Sequence, residues 1–455
     1  MVMGDMEMST DLLVIGGGPG GYSAAFRAAE LGLDVILADP RPQLGGTCLH
    51  AGCIASKTLL NLAQLLGDTR RAGKMGLRFQ EPDIDLVALR NWQQKAIQDE
   101  AEKLRQLAKN RGVLLVHGRV RFVGSKAVRL TDAEISGIKF KQAIIAVGSR
   151  PRSLPGATFS PGGRIMDSAA ALTLSEVPQS LLVVGGGYIG LEIASIYAAL
   201  GSRVTLMEMQ NRLLAKADPD LVAPLQARLD QEFAAIHIEA RIDALQETTT
   251  GVIAHYTHRG EVAELAFDKV LLAIGRVPNC DDLGLEHTGV SLDDYGFIKI
   301  DEQQRTTDQR IFAVGDVTGG VMLAHKAVRQ GRVAAETISG RKSAFDVRAI
   351  PALIHTDPQI AWCGLSEEDA RHEGVAHAVK RSQGHHPERF SKFVTNPTDG
   401  RILGAGVVSR DAQGSIGEAA LAIEMGTLFE DLSLVLHPFP LLYEIEDEAA
   451  EILVR

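Results

Sequence analysis

The chain predicts an α/β fold in which two strand–turn–helix–strand modules stand in tandem ahead of an α+β C-terminal region. Three observations carry this. An apolar run, a glycine cluster and an alanine-rich helical stretch occupy 11–39, and the same pattern returns at 180–208. Each copy ends on a carboxylate at the tip of its second strand, Asp39 and Glu208. From about residue 346 the pattern turns to short mixed strands and helices.

The first module reads DLLVIGGGPGGYSAAFRAAELGLDVILAD. Gly16, Gly18 and Gly21 have the spacing G-x-G-x-x-G, with Pro19 and Gly20 inside it. The first glycine allows the tight turn, the second lets backbone approach a pyrophosphate, and the third packs helix on strand. The helix N-terminus then faces the phosphates, and Asp39 is placed for ribose hydroxyls. These are the marks of a Rossmann-like dinucleotide module. In the second module Gly185, Gly187 and Gly190 take the same places, with Tyr188 and Ile189 inside the motif. First glycine to acid is 23 residues in both copies (16 to 39, 185 to 208). Two modules imply two dinucleotides. Glu208 favours a free ribose 2′-hydroxyl over a 2′-phosphate, and the nearest following basic residue is Arg212, so NAD is expected over NADP.

Between and after the modules the chain is read in segments. Residues 56–110 are mostly helical, with a long amphipathic helix near 90–111 that carries no chemistry. Residues 112–130 alternate, as in a small antiparallel insertion. The runs KQAIIAVGSRP and DKVLLAIGRVP each end a strand on glycine, at Gly148 and Gly275, and close their modules. Domain boundaries are expected at 1–150, 151–275, 276–345 and 346–455.

Composition excludes several classes. The 455 residues carry a net charge of -10, which disfavours a nucleic-acid partner or an anionic membrane surface. No uncharged apolar run approaches the ~18 residues of a membrane span, and the N-terminus has no signal-peptide pattern, so a cytoplasmic protein is expected. Four cysteines do not make a disulfide scaffold. Cys280 and Cys363 stand alone and read as bystanders. The pair His385-His386 has no ligand-type neighbour at metal spacing, so no metal is expected.

Chemistry concentrates in GGTCLHAGCIASKTLL at 45–60. Cys48 and Cys53 are separated by four residues, and glycines allow the backbone to fold back between them. Cys53 falls near a helix N-terminus, where the dipole favours thiolate, and Lys57 follows one turn later. Such an environment suits thiol–disulfide exchange. Two buried thiols in a loop–helix corner are the plain alternative.

With its surroundings, this run resembles the redox-active disulfide segment of the flavin-dependent disulfide oxidoreductases, most closely the dihydrolipoamide dehydrogenases. That family usually has Asn, Val and Pro where this chain has His50, Ala51 and Ala55. The resemblance covers nearly the whole chain. It implies a redox-active Cys48–Cys53 disulfide, with Cys48 exchanging with substrate and Cys53 facing the flavin. It implies FAD in the first module and NAD in the second. Gly46, Thr47, Lys57 and Gly118 would then lie along FAD, with Val147, Gly148 and Ser149. So would Asp316 at the ribityl chain, and Met322, Leu323, Ala324 and His325 along the flavin. For His117-Gly118 a mere turn is an open alternative, and for His325 a base is. Tyr188, Ile189, Ile242 and Gly275 would line the NAD site, core packing being an equal alternative for Tyr188. The resemblance pairs Glu192 with Lys57, whereas the plain reading of Glu192 is charge complementarity at a helix start.

The C-terminus departs from the family at its key residue. The family's tail resembles His-Ala-His-Pro-Thr-Leu-Ser-Glu, whose second His is the base facing the partner subunit's disulfide. The gapless register puts His437 on the first His, Phe439 on the base and Glu444 on the acid that orients it. A two-residue slip would make His437 the base and lose the acid. Phenylalanine cannot take a proton, and a lost general base costs ~10²–10⁴-fold in rate. The expectation is a homodimeric dithiol–disulfide oxidoreductase with weak or specialised lipoamide activity, serving a lipoyl carrier or a 2-oxoacid dehydrogenase-type complex. A reductase of another disulfide and a 2-ketopropyl-coenzyme M carboxylase-like enzyme are alternatives. A non-catalytic FAD-binding partner protein is the alternative of another class.

Overall fold

The computed structural model describes residues 7–80, 82–381, 389–432 and 434–436. The chain forms two compact units. One comprises Met1–Ala55, Ile84–Arg152 and Arg276–Asp346; the other comprises Ser56–Asp83, Ser153–Gly275 and Val347–Arg455. The segment 56–83, read from sequence with the first nucleotide domain, is counted with the second unit.

In the first unit the strand Glu7–Ile15 lies between Val35–Asp39 and Gly137–Ile145, parallel to both. Ile311–Ala313 adds a further parallel strand on Gly137–Ile145. Continuous apolar runs suit such strands because both faces are covered; Leu12, Leu13 and Val14 are 0% exposed. The sequence reading of 112–130 needs correction. Leu114–His117 is a parallel strand beside Val35–Asp39, extending the main sheet. Only Arg119–Gly124 and Ala127–Thr131 form the antiparallel insertion. The helix Pro19–Glu30 packs against Ala324–Ile338 so closely that a Cβ on Gly331 would come within 2.4 Å of the Gly20 carbonyl. Arg27 and Glu336 join the two helices at 2.7 Å.

The second unit holds a parallel five-stranded sheet in the order Ala235–His237, Arg203–Met207, Ser180–Val184, Lys269–Leu272, Ile165–Met166. An antiparallel three-stranded sheet, Ala240–Glu247 to Glu261–Phe267, packs on it. The C-terminal region is an antiparallel five-stranded sheet covered by the helix Ala412–Met425. Lys392 on its strand Phe390–Thr395 is 2% exposed and meets Asp218 at 2.8 Å, Glu367 at 2.9 Å and Asp220 at 3.0 Å. This cluster ties the C-terminal sheet to the start of the helix Pro219–Glu232. No helix among the described residues is long and apolar enough to cross a membrane.

Candidate active site

The two glycine turns are built alike. Gly16 has φ +104 and Gly185 φ +108. A Cβ on Gly16 would lie 2.4 Å from the Ala146 carbonyl, and one on Gly185 would lie 2.4 Å from that of Ala273. The third glycines, Gly21 and Gly190, press on the first: an added Cβ would come within 1.8 and 2.0 Å of the Gly16 and Gly185 carbonyls. The middle glycines are different. Gly18 and Gly187 are extended N-caps of 12-residue helices and give no side-chain cap. A Cβ on Gly187 would meet nothing within 4 Å, and one on Gly18 only Gly46 at 3.9 Å. Each helix thus presents uncapped N–H groups to open space, which fits a dinucleotide phosphate.

The terminal carboxylates complete each turn. Asp39 Oδ2 accepts from Gly17 N–H at 2.6 Å, and Glu208 Oε2 accepts from Gly186 N–H at 2.5 Å. Their other oxygens accept from Arg41 N–H and Gln210 N–H, both at 2.7 Å. The acids are fixed beside the phosphate turn with lone pairs left for ribose hydroxyls. Arg212 is occupied elsewhere: it donates to Glu368 at 3.0 Å and to the Ala215 carbonyl at 2.7 Å. Arg212, the nearest cation following Glu208, is therefore already committed and does not wait for a 2′-phosphate.

The cysteine segment begins against the first glycine turn. Gly45 N–H donates to the Gly17 carbonyl at 2.8 Å, and a Cβ on Gly46 would come within 2.7 Å of Gly18 Cα. Gly46, Thr47 and Cys48 lie in the short helix Gly46–His50, and His50 Nε2 lies 2.9 Å from the Leu44 carbonyl. Cys48 is half-buried. Burial pushes the Tyr22 phenol up, and the charge of a Cys48 thiolate adds to the rise. Cys53 is exposed and heads the 20-residue helix Cys53–Ala72, on which Lys57 lies one turn later. Burial pushes the Cys280 and Cys363 thiols up, to about 11 and about 12, which disfavours a thiolate at either.

Other expected flavin residues gather in the first unit. Gly118 N–H donates to the Asp39 carbonyl at 3.0 Å. Val147 and Gly148 precede Ser149, and Asn279 donates to the Val147 carbonyl at 2.9 Å. Ser149 Oγ donates to Asp316 Oδ2 at 2.5 Å, while Arg276 Nε donates to Ser149 Oγ at 2.7 Å. Asp316 sits in the turn Gly315–Thr318. Met322 and Leu323 lead into the helix Ala324–Ile338, which starts with Ala324 and His325. Sequence reasoning missed Arg276 and Asn279, which lie one and four positions after Gly275, at the close of the second module.

In the second unit, Tyr188 opens the helix Tyr188–Ala199 and is 39% exposed, so core packing does not account for it. Ile189 follows it on that helix. Ile242 is 8% exposed and packs in the core with Val184 and Met207. Gly275 has φ +107. Glu192 is 3% exposed and lies beyond the first helical turn, so charge complementarity at a helix start is not its role. Its Oε2 accepts from Lys57 Nζ at 2.9 Å and its Oε1 from the same Nζ at 3.0 Å. Burial pushes the Glu192 carboxyl up, but His355 and Lys57 outweigh it and hold the group below its usual range.

His437, Phe439 and Glu444 lie outside the described residues, as do His385 and His386. Among the described residues no cluster of three or more His, Cys, Asp or Glu is arranged to hold a metal.

Comparison with known proteins places this arrangement. The family described as pyridine nucleotide-disulphide oxidoreductase matches residues 10–331, and its dimerisation domain matches 350–450. A dihydrolipoyl dehydrogenase of Buchnera aphidicola is 38% identical, over 98% of this chain and 96% of its own. One from Geobacillus stearothermophilus is 38% identical, over 99% and 98%. Among solved structures, LpdA from Mycobacterium tuberculosis superposes with TM-score 0.89 at 27% identity, covering 97% of this chain and 99% of its own. The HOCl-induced flavoprotein disulfide reductase RclA from Escherichia coli gives 0.85 at 25% identity, covering 97% and 99%. The chain therefore belongs to the pyridine nucleotide-disulphide oxidoreductases, as a flavin-dependent enzyme of the lipoamide dehydrogenase type that uses FAD and NAD(H).

Proposed function

We propose that this enzyme oxidises a dihydrolipoyl-type dithiol with NAD, through Cys48 and Cys53, at a rate restricted by Phe439. The observation that carries the reading is the placement of the cysteine segment. It starts on the first nucleotide turn, and its second cysteine heads the helix bearing Lys57. The helix dipole and a nearby ammonium favour a thiolate at Cys53. Cys48, on its own short helix, takes the substrate sulfur. A substrate thiolate attacks the Cys48 sulfur of the oxidised pair and Cys53 leaves as thiolate. The second substrate thiol then displaces Cys48, giving a cyclic disulfide and a reduced enzyme pair. Bound FAD supplies the two-electron relay from that pair to NAD. Gly16 to Gly21 with Asp39 would hold its adenosine and phosphates, and Asp316 and Ser149 its ribityl chain. Lys57 and Glu192 would place a fixed, neutralised cation by the flavin ring.

The protein works as a homodimer in this reading, in the cytoplasm. A lipoyl group on a carrier protein or a 2-oxoacid dehydrogenase-type complex is its source of dithiol. Phe439 at the position of the base means substrate thiol is deprotonated without a positioned imidazole. The test is an anaerobic titration of the oxidised, FAD-loaded enzyme with dihydrolipoamide, followed by alkylation and peptide mass spectrometry. Cys48 and Cys53 should be protected before reduction and alkylated after it. Equal labelling before and after, from enzyme that forms NADH when NAD is added with the dithiol, would overturn the reading.

A further inference from the structure

Glu192 has a second neighbour besides Lys57. His355 follows the strand Ala352–Ile354 of the C-terminal sheet. Its backbone N–H donates to Glu192 Oε1 at 3.0 Å, and its imidazole Nδ1 lies 3.3 Å from the same oxygen. That nitrogen is buried and makes no well-formed hydrogen bond, to this oxygen or to any other group. The loop is held in place: Thr356 Oγ1 donates to the Pro358 carbonyl at 2.8 Å before the next strand, Gln359–Gly364. The groups facing Glu192 are thus the Lys57 ammonium, from the helix Cys53–Ala72, and the His355 imidazole, from the C-terminal region.

We propose that His355 is a positioning residue for the Lys57–Glu192 pair, with its imidazole kept as the Nδ1–H tautomer against the carboxylate. The inference rests on the reading that this pair serves the redox site. Two arguments lead to it. A bare Nδ1 lone pair facing a buried carboxylate oxygen is repulsive, so the carboxylate selects the Nδ1–H tautomer. Glu192 Oε1 meets Lys57 Nζ, the His355 backbone N–H and the imidazole, while Oε2 meets Lys57 alone. The carboxylate is thus held from two elements, and Lys57 with it.

The test uses the FAD-loaded enzyme and two readouts. The first is the imidazole tautomer, from ¹⁵N spectra of histidine-labelled protein at pH 8.5, with His355 assigned by its loss in His355→Phe. Protonation on Nδ1 is expected; a neutral ring protonated on Nε2 contradicts the proposal. The second is the rate at which NADH bleaches the bound flavin at pH 8. His355→Phe should be about tenfold slower than wild type, and His355→Gln, which keeps an N–H donor, should recover most of that loss. A His355→Phe variant as fast as wild type overturns the proposal. Neither readout involves a dithiol, so failure of the enzyme to oxidise dihydrolipoamide leaves this inference standing.

Discussion

Lys57 and Glu192 are 135 positions apart in sequence, yet the ammonium bridges both oxygens of a carboxylate whose side chain is 4% exposed, at 2.9 and 3.0 Å. Removing one partner of a buried pair costs ~3–5 kcal/mol because the other charge is left unpaired. Lys57 is 30% exposed and can turn to water, which moves the cost to the lower end. Lys57→Met should therefore destabilise the enzyme more than Glu192→Gln. Urea unfolding of both at pH 7 checks the order.

The pH dependence of that pair has a definite sign. The Glu192 carboxyl is held below its usual range, so its contribution is present above the unfolded carboxylate pKa of about 4.3 and is lost as pH falls through the lower folded value. The stability gap between wild type and Glu192→Gln should be constant from pH 8 to 5 and close below pH 4. A gap that widens in acid would contradict it.

The two glycine turns should be separable by mutation. Gly21→Ala places a Cβ 1.8 Å from the Gly16 carbonyl and should yield protein without flavin absorbance. Gly190→Ala places one 2.0 Å from the Gly185 carbonyl and should keep flavin while losing NADH oxidation. The ratio of absorbance at 450 nm to that at 280 nm, beside NADH turnover, reads both effects.

Coenzyme choice should follow Glu208 and Glu368 together. Glu208 repels a 2′-phosphate, and Glu368 holds Arg212 away from it. Like charges brought together cost several kcal/mol, so NADH should be preferred over NADPH by on the order of 100-fold in kcat/KM. Glu208→Ser should narrow the ratio about tenfold, and adding Glu368→Ala should narrow it again by freeing Arg212. A double variant no better with NADPH than Glu208→Ser alone would show that Arg212 does not reach the coenzyme.

The Lys392 cluster should behave as a clamp with a broad pH plateau. Asp218 and Glu367 are held low by Lys392 against the opposing effect of burial, and Lys392 is held high by the acids. The acids' share is present above about pH 4 and the lysine's share below about pH 10. Lys392→Met leaves Asp218 without its cation, while Arg381 still reaches Asp220 and Glu367 and Arg371 still pairs with Glu367. Its deficit at pH 7 should be about 3–5 kcal/mol and should shrink as the acids protonate. Calorimetric unfolding at pH 4 and 7 measures the difference.

How much of this could be read in the sequence depended on the range of the contacts. The glycine turns were legible because each is closed within one module, by residues at fixed spacing from Asp39 or Glu208. The cysteine helix was legible for the same reason, since Cys53 and Lys57 share one helical turn. Leu114–His117 was misread because a run of only four residues, three of them apolar, carries no sign of which strand it will pair with. His355 and Lys392 left no local signal. His355 lies 163 positions from Glu192 and Lys392 lies 172 from Asp220, and nothing in the residues between fixes those meetings. The C-terminal tail is a different case: the sequence offers a gapless register and a two-residue slip, and its key residues lie outside those the structure describes.

The measurement that bears most directly on the central claim is dihydrolipoamide oxidation by NAD, with wild type beside Phe439→His. The account predicts a slow wild type and a gain of about 100-fold or more in the variant, the amount a positioned general base contributes. A wild type that is already fast, with no gain from the histidine, would show that Phe439 does not stand where the base is needed and that another group deprotonates the dithiol.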